Sequence, residues 1–420
     1  MITALKNTRP IFSSMLRNKT GVILIIAQIA LTFAIIANAL YVVQQRLAEA
    51  NRVSGVDDAG VFALGIMSAP GKNDEFNQQQ LDLQALRAVP GVKAASWINQ
   101  MPLMQSGSNS AFFINPKLKE PSAVPTTYFS GSSLIDALGV KLIEGRDFAQ
   151  SEYITHDDSQ PKETQAKVQA VIVTKELAKA LFPNEKSVVG KSIYRGNGDD
   201  SEAIRIIGVI DSLVTPWGHA SWGGQNSDGK QSAIFPFRRH QHYNLYAVRT
   251  DSAQRAQAMK AAEKSLLSIT PGRMVTENKD MDTLREERYR GENTMAKTLV
   301  AVIVLLLFTT AAGIVGMASL WVNQRRKQIG VRRALGATRR NILNLFLTEN
   351  FLITSIGIGI GILLTVILNL LLVEKLELQQ LPAIYIPIGA ILLWIMGLVA
   401  VYGPARRAAS VSPAIATRSA

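Results

Sequence analysis

Residues 298–322 read TLVAVIVLLLFTTAAGIVGMASLWV, a run with no ionisable side chain, bounded by Lys297 and Arg325. A bilayer core about 30 Å thick takes roughly 20 apolar residues in a helix, the one open-chain fold that satisfies its own backbone in lipid. This stretch decides the fold because three others match it. Residues 21–43 lie between Lys19 and Arg46, residues 351–373 between Glu349 and Glu374, and residues 383–403 between Pro382 and Arg406. The expectation is a membrane α-helical protein with four transmembrane helices. Composition agrees: 18% of the 420 residues are charged, against about 25% in soluble domains.

The net charge of +13 is unevenly laid out. With four spans, residues 1–20, 323–350 and 404–420 share one side. They hold 14 of the 45 Lys and Arg but one of the 32 acids, Glu349; the rest of the chain balances at 31 against 31. By the positive-inside rule the basic side is cytoplasmic. The excess charge therefore calls for no nucleic-acid partner. Ala37-Asn38-Ala39 resembles a signal-peptide cleavage site. The apolar run continues through Val43, longer than a 7–15-residue signal core, so an uncleaved anchor is expected.

Residues 44–297 separate the first two spans and read as a mixed α/β domain. Strands are expected at 60–68 (GVFALGIMS), 92–99, 170–173, 203–210 and 243–249. Helices are expected at 73–89, with Phe76, Leu81, Leu83 and Leu86 inward, and at 253–268, with Ala256, Met259, Ala262, Leu266 and Leu267 inward. Thr174 should cap a third, KELAKALF, which stops before Pro183. Residues 151–166 and 212–231 read as loops. Trp217 and Trp222 in the second either contact a partner or fold back onto the domain. Neither VVQQRLAEANR after the first span nor the charged run from Asp280 into the second contains a breaker. Both spans should extend outward as helices, about 18 residues making a stalk of roughly 27 Å, with Gly291 its weak point.

Signs of chemistry are few. Cysteine is absent and there are four His, which excludes a disulfide scaffold and a thiolate site. Gly190-Lys191-Ser192 resembles the end of a phosphate loop, but the glycine that the motif requires is Glu185 here. His240 and His242 could share a strand face, with no third ligand nearby in sequence. No carboxylate or His lies inside a span, which disfavours an intramembrane protease or a proton-coupled carrier. Gln28 and Asn38 read as interhelical hydrogen bonders. Gly357 and Gly361 form a GxxxG spacing suited to close helix packing, within the chain or with a second subunit. No catalytic, cofactor or metal residue is expected.

The segment QRRKQIGVRRALGATRRNILNLFLTENF, 324–351, carries seven basic residues and no acid before Glu349, with Leu, Ile and Phe at helical spacing. It reads either as a membrane-hugging loop whose arginines meet anionic lipid headgroups or as a short helix that docks into a groove. At this point the sequence resembles the MacB/FtsX-like ABC transporter permease family. IGVRRALGATRRNIL, 329–343, is similar to that family's coupling segment. LKNTRPIFSSMLRNKTGVILII (5–26), ALGVKLIEGRDF (137–148), AVIVTKELAKALFPNEKSVVGKSI (170–193), IIGVIDS (206–212) and PARRAASVSPAIA (404–416) fall in the family's order. One departure is Gln328, where the family usually places Glu.

The resemblance implies a permease subunit, not itself an enzyme, with no ATPase domain of its own. It would bind no cofactor; ATP and Mg would sit on a separate cytoplasmic ABC ATPase. That ATPase would dock on Gln328, Ile329, Gly330, Val331, Arg332, Arg333, Ala334, Leu335, Gly336, Ala337 and Thr338. Arg332 and Arg333 are expected to be exposed. A second permease, identical or a sister chain, would complete the transporter. The large domain would be periplasmic, with a porter-like part from roughly 55–103 plus 232–285 and an inserted subdomain between. The implied organisation is a cytoplasmic amphipathic segment (1–20), spans at 21–43, 298–322, 351–373 and 383–403, the periplasmic domain with stalk helices (44–297), a coupling segment (323–350), a short loop (374–382) and a cytoplasmic tail (404–420), in a bacterial inner membrane. The implied function is efflux of a peptide or antibiotic-like substrate with a periplasmic adaptor and an outer-membrane channel, by transmitted motion rather than a membrane pore. Alternatives are lipoprotein release and a non-transport transmitter acting on a cell-wall hydrolase or sensor kinase.

Overall fold

The computed structural model describes residues 19–68, 75–156, 166–196, 201–218, 229–239, 242–376 and 380–411. Readings that rest on residues 1–18, His219, Trp222, His240 and the tail beyond 411 lie outside these. In chain order the helices are α1 (Lys19–Ala50), α2 (Glu75–Ala88), α3 (Leu134–Leu138), α4 (Lys175–Leu181), α5 (Arg255–Ile269), α6 (Met281–Arg288), α7 (Arg290–Gln324), α8 (Arg326–Ala334), α9 (Arg339–Leu376) and α10 (Tyr385–Ala409). The strands of the first half are β1 (Val61–Met67), β2 (Val92–Ile98), β3 (Phe112–Phe113), β4 (Thr126–Phe129), β5 (Leu142–Gly145) and β6 (Ile154–His156). Those of the second are β7 (Ala170–Thr174), β8 (Ser192–Arg195), β9 (Glu202–Ile210), β10 (Ser232–Phe235), β11 (Phe237–Arg239), β12 (Tyr243–Thr250) and β13 (Met274–Asp280). Two units result, residues 49–291 and the helices outside them.

In the α/β unit, β1 shows why its sequence reads as an unbroken apolar run. Phe62, Leu64 and Ile66 face a core with Leu83 and Leu86 of α2 and Ala258, Ala262 and Leu266 of α5. Val61 and Ala63 face the opposite core. A strand buried on both faces has no polar side to alternate with. Its sheet is antiparallel throughout in the order β13-β1-β12-β2, and the chain traces βαββαβ through it. Between β2 and β12 the chain builds a second sheet, β3-β8-β9-β7-β10-β4, with β5 on β9 and parallel pairs β7–β9 and β10–β4. One face packs Val171, Val173 and Phe235 against Leu177 and Leu181 of α4. The other places Ile172, Ile210 and Ile234 in the same cluster as Val61, Leu245 and Ala247 of the first sheet. The two sheets thus share one apolar core.

Several expectations need adjustment. Residues 232–235 belong to the second sheet, because β10 pairs with β4 and β7, and β11 pairs with β6 in a separate two-stranded sheet; the return to the first sheet is at Tyr243. Leu81 is exposed, and Asp82 beside it is fully buried. Ala258 takes the inward place expected of Ala256. Residues 274–280 form a strand the pattern hides, because β13 is polar and at most half-buried along most of its length. The charged run from Asp280 is not one stalk. α6 ends at Tyr289, whose backbone leaves helical geometry and whose hydroxyl donates to Gly218 O; α7 starts at Arg290 and passes through Gly291 unbroken. Of the two tryptophans, Trp217 is half-buried and its carbonyl accepts from Arg288 Nε.

Burial raises the hydroxyl pKa of Tyr128 and Tyr246 well above 10, and burial followed by the Glu277 charge pushes Tyr243 up to about 12. A raised folded pKa contributes stability that is complete below the unfolded value and is lost above it. Stability of this unit should therefore fall as pH rises through 10 towards 12. A titration followed by tyrosinate absorbance should show these rings ionising only together with loss of circular dichroism. Ionisation with the fold intact would contradict it.

The other unit contains four helices long and apolar enough to span a membrane: α1, α7, α9 and α10. Their contacts are polar at a few points and close at the glycines. Gln28 Nε2 donates to Thr309 O (3.2 Å), and the Thr32 and Thr310 hydroxyls meet at 2.9 Å, joining α1 to α7. Asn38 Nδ2 donates to Thr365 O and Asn369 Nδ2 to Asn38 Oδ1, both at 3.4 Å, joining α1 to α9. Gly357 and Gly361 face α1: a Cβ on Gly357 would lie 2.7 Å from Ile29 Cγ2, and one on Gly361 2.9 Å from Phe33 Cβ and 3.0 Å from Ala30 O. Backbone and Cβ atoms cannot step aside. Gly361→Ala should cost about 1–3 kcal/mol by overpacking. Gly359→Ala, with nothing within 4 Å, should be neutral. Thermal unfolding in detergent compares them, and equal melting temperatures would refute the close-packing account.

Candidate functional site

α7 and α9 are both longer than their apolar runs. α9 begins at Arg339 rather than near 351, about three turns early. The basic segment between them is therefore α8, one short turn, and the first turns of α9. α8 ends where Leu335 leaves helical geometry, and Gly336 follows at φ +97°, a left-handed conformation that glycine adopts at low cost. Thr338 starts the next helix, its hydroxyl accepting from Asn341 N at 3.2 Å.

This corner is seated on its own chain. Ile329 of α8 packs with Val322 of α7, Ile342 and Phe346 of α9 and Ala405, Ala408 and Ala409 of α10. Gly330 is buried and Ala337 partly buried. Arg325 donates from Nη1 to both oxygens of Glu349, at 2.8 and 2.9 Å, with its guanidinium over the Trp321 ring. The one acid among the basic segments thus joins α7 to α9. Sequence reading missed this pair; the signal was that single acid. Arg333 is not the exposed charge expected of it. It is half-buried, and its Nη1 donates to Ala409 O (3.2 Å) and Val411 O (2.7 Å), satisfying carbonyls at the end of α10.

Four of the residues that remain outward form a stripe. Gln328, Val331, Arg332 and Leu335 recur at i, i+3, i+4 and i+7, the spacing of one helix face. Val331 is 50% exposed and Leu335 82%. Ala334, Gly336 and Thr338 are also exposed. Around the stripe stand Arg326, Lys327, Arg339 and Arg340, all exposed and all in first helical turns, where the helix dipole disfavours cations. Among the described residues, the stripe and its rim contain no carboxylate or histidine. The arrangement can bind: an apolar pair rimmed by cations suits a groove with acidic margins.

Four apolar helices carrying an α/β domain, with a basic helical corner between two of them, define a helical membrane protein of the permease type. A family model for the FtsX-like permease C-terminal domain matches residues 300–413, and one for the MacB-like periplasmic core domain matches residues 19–265. The chain belongs to this MacB/FtsX-like ABC transporter permease family. Among its relatives, the macrolide export ATP-binding/permease protein MacB of Acinetobacter baylyi is 23% identical over 346 residues, 80% of this chain and 47% of that one. The pyoverdine export ATP-binding/permease protein PvdT of Pseudomonas putida is 29% identical over 262 residues, 60% of this chain and 38% of that one. The chain thus spans less than half the length of these relatives. The extracellular domain of the ABC-type transporter YknZ from Gram-positive bacteria aligns with 51% of this chain and all of itself, at 18% identity and a TM-score of 0.30.

Proposed function

We propose that this chain is the non-catalytic permease subunit of an ABC exporter in a bacterial inner membrane. Both termini are cytoplasmic and the α/β domain is periplasmic, with its four-stranded part porter-like and its second sheet inserted. A separate ATPase, which holds ATP and Mg, docks on residues 328–338. Docked ATPases move the helices of two paired permeases, and the periplasmic domain delivers a peptide or antibiotic-like substrate to an adaptor and an outer-membrane channel. The observation that carries the reading is the stripe Gln328, Val331, Arg332 and Leu335, presented by a corner whose other side is braced inside the chain. The export names of the relatives MacB and PvdT support efflux as the direction.

The test is co-purification of the ATPase from native membranes, with ATP turnover as second readout. Leu335→Ala should weaken docking by about 1–3 kcal/mol, as truncation of a groove-filling anchor does. Arg332→Glu should remove ATP-driven export while the protein stays folded. Arg333→Glu should instead lower the melting temperature, because it frees the carbonyls of Ala409 and Val411. If Leu335→Ala and Arg332→Glu both hold the ATPase and export at wild-type levels, the docking assignment fails.

A further inference from the structure

The helix unit encloses a cavity of about 10 Å³ beside the Arg325–Glu349 chelate, the space that one water needs. All four long helices, α1, α7, α9 and α10, contribute to its wall. Most of that wall is apolar, with Ala318 of α7 and Phe346 of α9 facing each other across it. Three polar side chains interrupt it: Trp321 of α7, and Glu349 and Asn350 of α9. Trp321 and Asn350 are each 7% exposed.

The polar lining points to a ligand. Trp321 Nε1 and Asn350 Nδ2 are buried N–H donors with no hydrogen-bond partner among the described residues. An unpaired buried donor costs its full desolvation penalty, so a pair of them beside one cavity calls for an acceptor. The same lining holds a strong acceptor. Arg325 bonds both oxygens of Glu349. Each carboxylate oxygen presents two lone pairs, so that chelate does not exhaust its capacity. Two donors and one acceptor around a space of this size match a water, which both accepts and donates and makes about three hydrogen bonds when buried. Other small ligands match less well. A metal cation would meet N–H groups where it needs oxygens, and an anion would meet the Glu349 carboxylate.

We propose that this cavity is an internal hydration site, in which one water accepts from Trp321 Nε1 and Asn350 Nδ2 and donates to the Glu349 carboxylate. The water would join α7 to α9 next to the ion pair that joins the same two helices. The site is internal to the helix unit and needs neither ATPase nor substrate, so it stands apart from the docking assignment.

The test uses the full chain in nanodiscs, without ATP or ATPase. A millisecond X-ray pulse splits water into hydroxyl radicals, and mass spectrometry locates the side chains they oxidise. A water held in the cavity makes radicals against its own lining, where radicals from bulk solvent do not reach. Phe346 is 3% exposed and lines the cavity; Phe33 is 0% exposed, belongs to the same unit and does not line it. Phe346 should be oxidised several-fold faster than Phe33. Ala318→Val fills the cavity and touches no polar group, and should bring Phe346 down to the rate of Phe33. A second readout is the sign of a stability change. Asn350→Leu keeps the branched shape but removes the amide. With the water present it breaks one bond and should lower the melting temperature by about 2–4 °C. In a dry cavity it removes an unpaired donor and raises that temperature. Oxidation of Phe346 no faster than of Phe33 overturns the proposal, as does undiminished oxidation in folded Ala318→Val or a higher melting temperature for Asn350→Leu. Melting curves identify any variant that has unfolded, and the wild-type oxidation rates decide without it. Export and ATPase docking do not enter either readout.

Discussion

Replacing Asp82 by alanine is expected to destabilise the α/β domain by about 3–5 kcal/mol, the cost of stranding one half of a buried ion pair. Asp82 and Arg273 have side chains 0% and 1% exposed. Arg273 donates from Nη1 to Oδ1 (2.7 Å) and from Nη2 to Oδ2 (2.5 Å). Gln78 Nε2 and the Tyr246 hydroxyl donate to the same carboxylate at 3.0 and 2.7 Å. The alanine variant leaves a guanidinium in a dry site where Leu266 O is its remaining partner. At roughly 2–4 °C per kcal/mol for a domain of this size, the melting temperature should drop by about 6–20 °C. The double variant Asp82→Leu/Arg273→Leu removes both charges and should recover much of the loss, because a buried pair is worth far less than the penalty for breaking it. A single alanine variant that melts within a degree or two of wild type would show that the pair is hydrated in solution.

The second large effect is expected at Arg325→Ala. Glu349 is 3% exposed and Arg325 20%, so solvent reaches one partner and the cost should lie near the low end, about 3 kcal/mol. The variant leaves a carboxylate near the end of an apolar helix bundle, with the chelate that ties α7 to α9 gone. Ile329 and the seat of α8 depend on that junction. Loss of ATPase docking should therefore accompany loss of bundle stability, whereas Leu335→Ala loses docking alone. Arg325→Lys keeps the charge but is shorter and loses the guanidinium's place over the Trp321 ring, and should recover only part. Unfolding in detergent and ATPase co-purification separate these outcomes. An Arg325→Ala protein with wild-type stability and docking would mean the ion pair positions nothing.

Much of the architecture was legible because its signals are local. Four apolar runs without charges predict four helices, since lipid leaves the backbone no other partner, and α1, α7, α9 and α10 lie where the runs are. β1 and β7 read as strands because burial on both faces makes them almost wholly apolar, and β9 and β12 do so although Arg205, or Asn244 and Arg249, interrupt otherwise apolar runs. Thr174 was legible as a cap, its hydroxyl accepting from Leu177 N. The polar strand β13 was not legible, since what makes it a strand is pairing with β1 across more than two hundred residues of chain.

At the candidate site the segment was legible and its sidedness was not. An all-basic run with two glycines between apolar spans marks residues 324–350 in any reading. Only packing separates Arg332 from Arg333. The first points outward; the second is committed to carbonyls of α10, seventy-six residues away. The same holds for Leu81 and Asp82. Hydrophobicity places the leucine inside, but Arg273, Tyr246 and Gln78 converge to satisfy the carboxylate, and α2 turns the aspartate in.

The sequence by itself determined the four helices long and apolar enough to cross a membrane, the segments that carry the excess basic charge and much of the alternation of strands and helices, because these depend on composition and short-range period. The tertiary structure alone decided which glycines meet α1, which arginine braces and which stays exposed, that the two sheets share one core, and that polar groups from distant segments line a cavity. Each of these depends on which distant groups come within bonding distance, and no local period encodes that.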